Sequence, residues 1–358
     1  MEQFTRFLEM IDGWVWGVPL IVLILAVGIY LTIRLRGLQI RKLPKALKYM
    51  VHNEEGGEGE VTSFGALCTA LSATIGTGNI VGVATAIVAG GPGALFWMWM
   101  AALFGMATKF AEGVLAIKYR VLDETGHALG GPFYYIENGM GKQWKWLAKL
   151  FAFFGVGVGI LGIGTITQVN GIASAVNNFF DSNNAWTFQL FGKDYSYTVL
   201  IAAIIVTVCV ALVIIGGIQR IASVSQIIVP FMACIYVAFC VLLLIMNVTK
   251  IPAAFVLIIQ SAFGMRAVAG GALGAIILAM QKGIARGIFS NEAGLGSAPI
   301  AAAAAQTNEP VRQGLVSMTG TFIDTIVICT MTGFSIVLTG AYTVSYTHLR
   351  AHETDQYL

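Results

Sequence analysis

An all-α integral membrane protein is the fold class predicted by this 358-residue sequence, and three observations point to it. Hydrophobic residues make up 57% of the chain and charged residues 11%, with a mean hydropathy of +0.79; soluble domains carry about 25% charged residues. Residues 64–89, FGALCTALSATIGTGNIVGVATAIVA, hold no charge. That is long enough to cross a hydrocarbon core about 30 Å thick at ~1.5 Å per residue. The basic residues collect between such runs, as in a chain oriented in a bilayer. A net charge of +3 distributed this way argues against a nucleic-acid partner and for a lipid one.

The chain divides as follows. Residues 1–33 hold an amphipathic stretch, with Phe4, Phe7, Leu8 and Ile11 on one helical face, and a first span from Trp14 to Ile33. No cleavage site follows a short apolar core, so this run reads as a retained span. Residues 34–62 are a basic loop with Arg34, Arg36, Arg41, Lys42, Lys45 and Lys48, which assigns it to the cytoplasm and the N-terminus to the outside. Residues 63–250 hold spans two to six: 64–89, Ala94–Ile117, Leu147–Val176, Tyr197–Gly216 and Ile227–Met246. The fourth is longer than a membrane requires and is expected to tilt. Residues 251–344 hold a seventh run, Ala253–Ala279, interrupted at Phe263–Arg266 and rich in glycine at Gly270, Gly271 and Gly274. A cytoplasmic stretch over 283–306 and an eighth span, Leu315–Tyr342, follow. Residues 345–358, SYTHLRAHETDQYL, lack membrane character and resemble translated sequencing-adaptor sequence, so the expectation is that the native chain continues differently.

The second span is weakest at its centre. Gly76, Thr77, Gly78 and Asn79 stand where leucines are expected, and glycine costs roughly 1 kcal/mol against alanine in a helix. Unwound backbone at that depth survives only where protein or a watery cavity satisfies it, and transporters build substrate and ion sites there. A close helix contact through Gly78 and Gly82 is the alternative. Gln168 and Asn170 in the fourth span either meet a solute or bridge helices, and Gly155, Gly157, Gly159, Gly162 and Gly164 read as close-packing positions. Asp324, a carboxylate inside the eighth span, either joins an ion path or is paired within the bundle. Lys109 and Glu112 are expected to form an ion pair, Arg266 to snorkel or to attract a carboxylate, and Ser290-Asn291-Glu292 to cap a cytoplasmic helix. Hydrolase, metalloprotease and nucleotide-binding motifs are absent, no cysteine or histidine spacing suits a metal, and the chain does not read as an enzyme. A passive channel lacks its polar lining or repeated filter.

GGPGALFWMWMAALFG at 90–105, SATIGTGNIVGVATA at 72–86 and GIARGIFSNEAGLGSAPIA at 283–301 resemble signature segments of the alanine or glycine:cation symporter family, and the resemblance runs from about Trp14 to Thr343. It implies a leucine-transporter-like (APC superfamily) inverted-repeat fold after one extra span. Spans two to six would be the first repeat. Spans seven and eight would open a second repeat that is truncated here, along with part of the sodium site. It implies inward symport of alanine or glycine with Na⁺, or H⁺, in the cell inner (plasma) membrane; another small zwitterionic solute is the runner-up. Gly76, Thr77 and Gly78 would offer backbone N–H groups to the substrate carboxylate, with Asn79 and Gln168 beside them and Gly271 and Gly274 facing them. Carbonyls near Ser72 and Ile75 would hold Na⁺, the only metal expected, and no cofactor is implied.

Overall fold

A computed structural model describes residues 2–15, 17–52, 54, 56–162, 164–183, 185–190, 192–265 and 271–343. Helix α1 (Glu2–Val15) precedes α2 (Val18–Arg34), and the short helices α3 (Leu38–Arg41) and α4 (Leu43–Val51) follow. The second apolar run is α5 (Ser63–Thr74) and α6 (Val83–Gly90), joined through a π-helical turn at Gly78–Gly82. Helix α7 (Gly93–Lys118) leads to a hairpin, β1 (Val121–Leu122) with β2 (Ala128–Leu129), then to α8 (Pro132–Tyr135). Helices α9 (Lys145–Leu161) and α10 (Thr165–Phe180) precede a second hairpin, β3 (Thr187–Leu190) with β4 (Lys193–Ser196). Then come α11 (Tyr197–Ile214), α12 (Gly217–Met246), α13 (Ile251–Ala262), α14 (Ala272–Asn291) and α15 (Ala298–Ala303). Helices α16 (Pro310–Thr321) and α17 (Thr330–Thr339) end the described chain, joined by the π-helical segment Phe322–Cys329.

Among the described residues six helices are long and apolar enough to cross a membrane, and seven if the bent pair of 63–74 and 78–90 counts as one span. The sequence shows eight apolar runs, and the differences have local causes. Val18–Arg34 is shorter than a full span, because the chain before it forms the separate amphipathic helix α1. The fourth run is interrupted between α9 and α10, where Gly162 and Gly164 take φ of +63° and +88°, and still counts as one span. Only glycine holds such backbone cheaply, so these glycines break the helix. Gly155, Gly157 and Gly159 have no neighbour within 4 Å of an added Cβ, so they are not close-packing positions either. The loop after α10 is a strand hairpin, which a polar loop reading did not anticipate. The seventh run is two helices, α13 and α14, and α14 continues as helix through residues 283–291. Arg266, Gly270 and residues 345–358 lie outside the described residues.

Helix α7 is the axis of the bundle. It packs along α14 and α16, with α2, α13 and α15 around it. The contacts are close because glycines face it. A Cβ on Gly283 would overlap the carbonyl of Ala94, and one on Gly314 would meet the carbonyl of Phe110 at 2.7 Å. Met98 and Leu95 are fully buried in that core, and Trp99 donates to Thr330 Oγ1 at 2.8 Å.

Two helices cross this core in opposite directions. Helix α5 starts beside residues 303–306 and α6 ends near Ala279, whereas α14 starts near the end of α13 and α15 ends beside Val61. One guanidinium closes the basic end. Arg120 donates to the carbonyls of Ala303, Ala305 and Glu58 at 2.7 Å and of Thr307 at 2.8 Å. Glu60 extends the closure to the β1–β2 hairpin, accepting from Ala128 N and from His127 Nδ1, both at 2.9 Å. The Glu60 hydrogen bond and charge raise the His127 pKa above its ordinary 6.5. A group raised on folding stabilises fully below its unfolded pKa, and the contribution fades as pH rises through the folded one. The denaturation midpoint of the wild type should therefore fall as pH is raised from below 6.5 through that range. A His127→Asn protein should lack this slope, and equal slopes in thermal scans would exclude the latch.

Candidate functional site

The second apolar run breaks because local acceptors outcompete the helix. Ile75 leaves helical geometry at φ −78°, ψ 105°. The Gly76 N–H turns to Asn79 Oδ1 at 2.8 Å, and the Thr77 N–H and hydroxyl both donate to Gln168 Oε1 of α10 at 2.9 Å. In a continuous helix those two N–H groups would bond the carbonyls of Ser72 and Ala73. The axis bends by 56° at this point. The approach of α10 requires small residues: a Cβ on Gly76 would lie 2.6 Å from Gln168 Oε1, and one on Gly171 2.5 Å from Thr77 Cγ2.

The second break lies at residues 292–297, between α14 and α15. Glu292 caps α14 in the left-handed region at φ +53°, and Gly294 and Gly296 follow at +89° and +81°. Glu112 of α7 faces the N–H groups of Gly294 and Gly296. Its expected ion pair with Lys109 does not form within 4 Å among the described residues. Lys109 instead lines a small cavity of about 20 Å³ with Asn291 and Gln313, which is room for one water.

Asp324 ties the two breaks together. It is fully buried in the π-helical segment after α16, a geometry that recurs at functional sites. Its Oδ1 accepts from Asn79 Nδ2 at 2.7 Å, and its Oδ2 from the hydroxyls of Ser290 at 2.8 Å and Thr325 at 2.7 Å. Asn79 also donates to Ser290 Oγ at 3.1 Å. The carboxylate therefore has donors from the first break, from the last turn of α14 and from its own segment.

Beside this knot lies a cavity of about 420 Å³. Gly78, Gln168, Ser290, Glu292 and Ser297 supply its polar wall, and Phe151, Phe154 and Val158 of α9 its apolar one. Gln168 Oε1 is engaged by Thr77, which leaves the amide Nε2 as the donor available to the cavity. Glu292 offers its carboxylate, held by the Ser297 hydroxyl. A donor and an anionic acceptor on one small cavity suit a zwitterion.

Of the residues singled out in the sequence, Gly78 and Gln168 line this cavity, while Gly76, Thr77 and Asn79 lie directly behind it. Ile75 is buried at the end of α5, and Ser72 is exposed with its hydroxyl on the Thr69 carbonyl at 2.7 Å. Asn170 is exposed and does not line the cavity. Asp324 is enclosed behind the cavity. Gly271 and Gly274 are not brought to the cavity. Both are exposed at the start of α14, and sixteen residues of helix set Gly274 about 24 Å from Ser290. Ser290 sits in the last turn of α14 and Glu292 is its C-cap, where the second break begins, so neither starts a helix; with Ser297, Phe151 and Phe154 they are the cavity residues the sequence reading missed. The signal was present in SNEAGLGS, where two glycines and a glutamate interrupt an otherwise helical run. Among the described residues no group of three or more His, Cys, Asp or Glu gathers as a metal site.

A multi-pass helical bundle with two unwound helices around one small cavity is the architecture of a membrane transporter. The chain belongs to the sodium:alanine symporter family, whose model matches residues 1–356. It is 58% identical over 336 residues to an uncharacterised transporter of Haemophilus influenzae, covering 94% of this chain and 70% of that protein. It is 49% identical over 342 residues to the sodium/alanine symporter AgcS of Methanococcus maripaludis, covering 94% and 71%. A probable sodium/glutamine symporter of Bacillus subtilis, GlnT, is 40% identical over 345 residues, covering 96% and 67%. Membership makes the protein a sodium-coupled amino-acid transporter and not an enzyme.

Proposed function

We propose that the protein carries a small neutral amino acid, alanine foremost and glycine with it, inward with Na⁺ by alternating access. The observation that carries this reading is the pairing across the cavity. The Gln168 amide is free to meet a carboxylate, and Glu292 is placed to meet an ammonium group. The diverted carbonyls of Ser72 and Ala73, with that of Ile75, support a Na⁺ site at the negative end of the α5 dipole. A discontinuous helix followed by a long helix occurs twice, as α5–α6 with α7 and as α14–α15 with α16–α17, running in opposite directions. That order supports a leucine-transporter-like inverted repeat whose second half opens at α14. The basic end is assigned to the cytoplasm by its charge, which leaves the N-terminus outside.

With Gly271 and Gly274 away from the cavity, side-chain selection falls to the Phe151 and Phe154 wall. Competition against labelled alanine tests the reading. Alanine and glycine should compete and alaninamide, which has no carboxylate, should not. Glutamine competing better than alanine would move the substrate to a larger amide side chain. Equal competition by alaninamide would end the zwitterion reading. Gln168→Ala should weaken alanine binding by about 1–3 kcal/mol, the usual effect of removing a partner from a buried polar group. If Gln168 only bridged helices, the denaturation midpoint would drop while affinity held.

A further inference from the structure

A second cavity, of about 470 Å³, lies on the other side of Phe289, between α6, α14 and the α1–α2 junction. Lys282 and Arg286 face it from α14, with Thr85 of α6 and Gly17 opposite. They are four residues apart and so share one helix face. Both are exposed, and neither has a carboxylate within ion-pairing distance among the described residues. Both sit in a helix long and apolar enough to cross a membrane, with Arg286 about 6 Å and Lys282 about 12 Å along the axis from Ser290. Cations within an apolar helix and without a carboxylate partner among the described residues face water-filled space rather than lipid. Phe289 lines both cavities, and the Arg286 guanidinium carbon lies 5.6 Å from its ring centroid. Along one helix, therefore, come two cations, an aromatic partition, and then Ser290 and Glu292 of the transport cavity.

We propose that this second cavity is a docking vestibule for the carboxylate of the transported amino acid. Lys282 and Arg286 hold the carboxylate first. A carboxylate is a stronger, bidentate partner for a guanidinium than an aromatic face is, so its arrival draws Arg286 off the Phe289 ring. The solute then passes to Gln168 and Glu292. The vestibule rests on the amino-acid reading above, since a solute without a carboxylate has no use for it.

The test compares wild type with a Lys282→Gln/Arg286→Gln double variant in phosphatidylcholine vesicles, together with equilibrium alanine binding in detergent. The double variant should raise KM at least about fivefold and lose the dependence of uptake on ionic strength, while Kd stays within about twofold. A charge-keeping exchange, Lys282→Arg with Arg286→Lys, should restore KM, which separates charge from folding. A double variant with wild-type KM and wild-type salt dependence overturns the vestibule. Vesicles containing phosphatidylglycerol should leave the wild-type KM unchanged. If that lipid alters the wild type and not the double variant, the cavity holds a lipid phosphate and the proposal falls. A wild type that takes up no alanine overturns the amino-acid reading and the vestibule together. Failure of the vestibule alone is distinct, because uptake is then normal and indifferent to the two substitutions.

Discussion

Asp324→Ala should abolish alanine binding and lower the denaturation midpoint sharply. The carboxylate accepts from Asn79, Ser290 and Thr325, all buried, and its removal takes this acceptor from both hydroxyls and leaves Asn79 only its longer bonds to Ser290 Oγ and the residue-324 carbonyl. Each orphaned group costs about 1–3 kcal/mol, which places the total on the order of 3–5 kcal/mol. The loss falls where the two broken helices are joined, so the cavity between them loses its shape. Asp324→Asn isolates the charge. The amide oxygen still accepts from Asn79, and the two hydroxyls can turn to accept from the amide nitrogen. This variant should fold, bind alanine and keep its stimulation by Na⁺, because the carboxylate does not reach the cavity. Binding titrations with and without Na⁺ check both. Loss of Na⁺ stimulation in Asp324→Asn would place the acid on the ion path instead.

Gly78→Leu should leave insertion and thermal stability near wild type while removing alanine binding. An added Cβ at Gly78 meets nothing within 4 Å, and the residue lines the transport cavity. The new side chain therefore fills the space the solute needs rather than displacing a neighbour. Forcing a ligand into space that is already filled typically costs 1–3 kcal/mol or more. Gly76→Ala fails for a different reason, because its Cβ would lie 2.6 Å from Gln168 Oε1 and push the amide aside. Wild-type alanine affinity in Gly78→Leu would remove the cavity from the transport path.

The membrane class and the first break were legible because they depend on local facts. A charge-free run with glycines at its centre has few other solutions in a bilayer, and Asn79 and Gln168 stood out as polar groups at depth. What they bond was not legible, because Asn79 meets Asp324 across 245 positions and Thr77 meets Gln168 across 91. The interruption expected at 263–274 is present between α13 and α14, but the break at 292–297 that reaches the cavity was not read as one, for a related reason. Glycines at 270–274 and glycines at 294–296 weaken a helix alike. Only packing decides between them: Gly283 and Gly287 lie against α7, which carries α14 through the bundle to Asn291. Glu292 then read as part of a helix cap, since its place on the cavity depends on where that helix ends. The interruption at Gly162 and Gly164 was hidden by hydropathy, which records that a run is apolar and says nothing of positive φ.

Uptake of labelled alanine into proteoliposomes, driven by an inward Na⁺ gradient and compared with an equal K⁺ gradient, tests the central claim most directly. Symport through the cavity between the two breaks predicts accumulation above the external concentration with Na⁺ alone, collapse of that accumulation when the gradient is dissipated, and none with Gly78→Leu. Equal uptake in Na⁺ and K⁺, rising only to the external concentration, would contradict it.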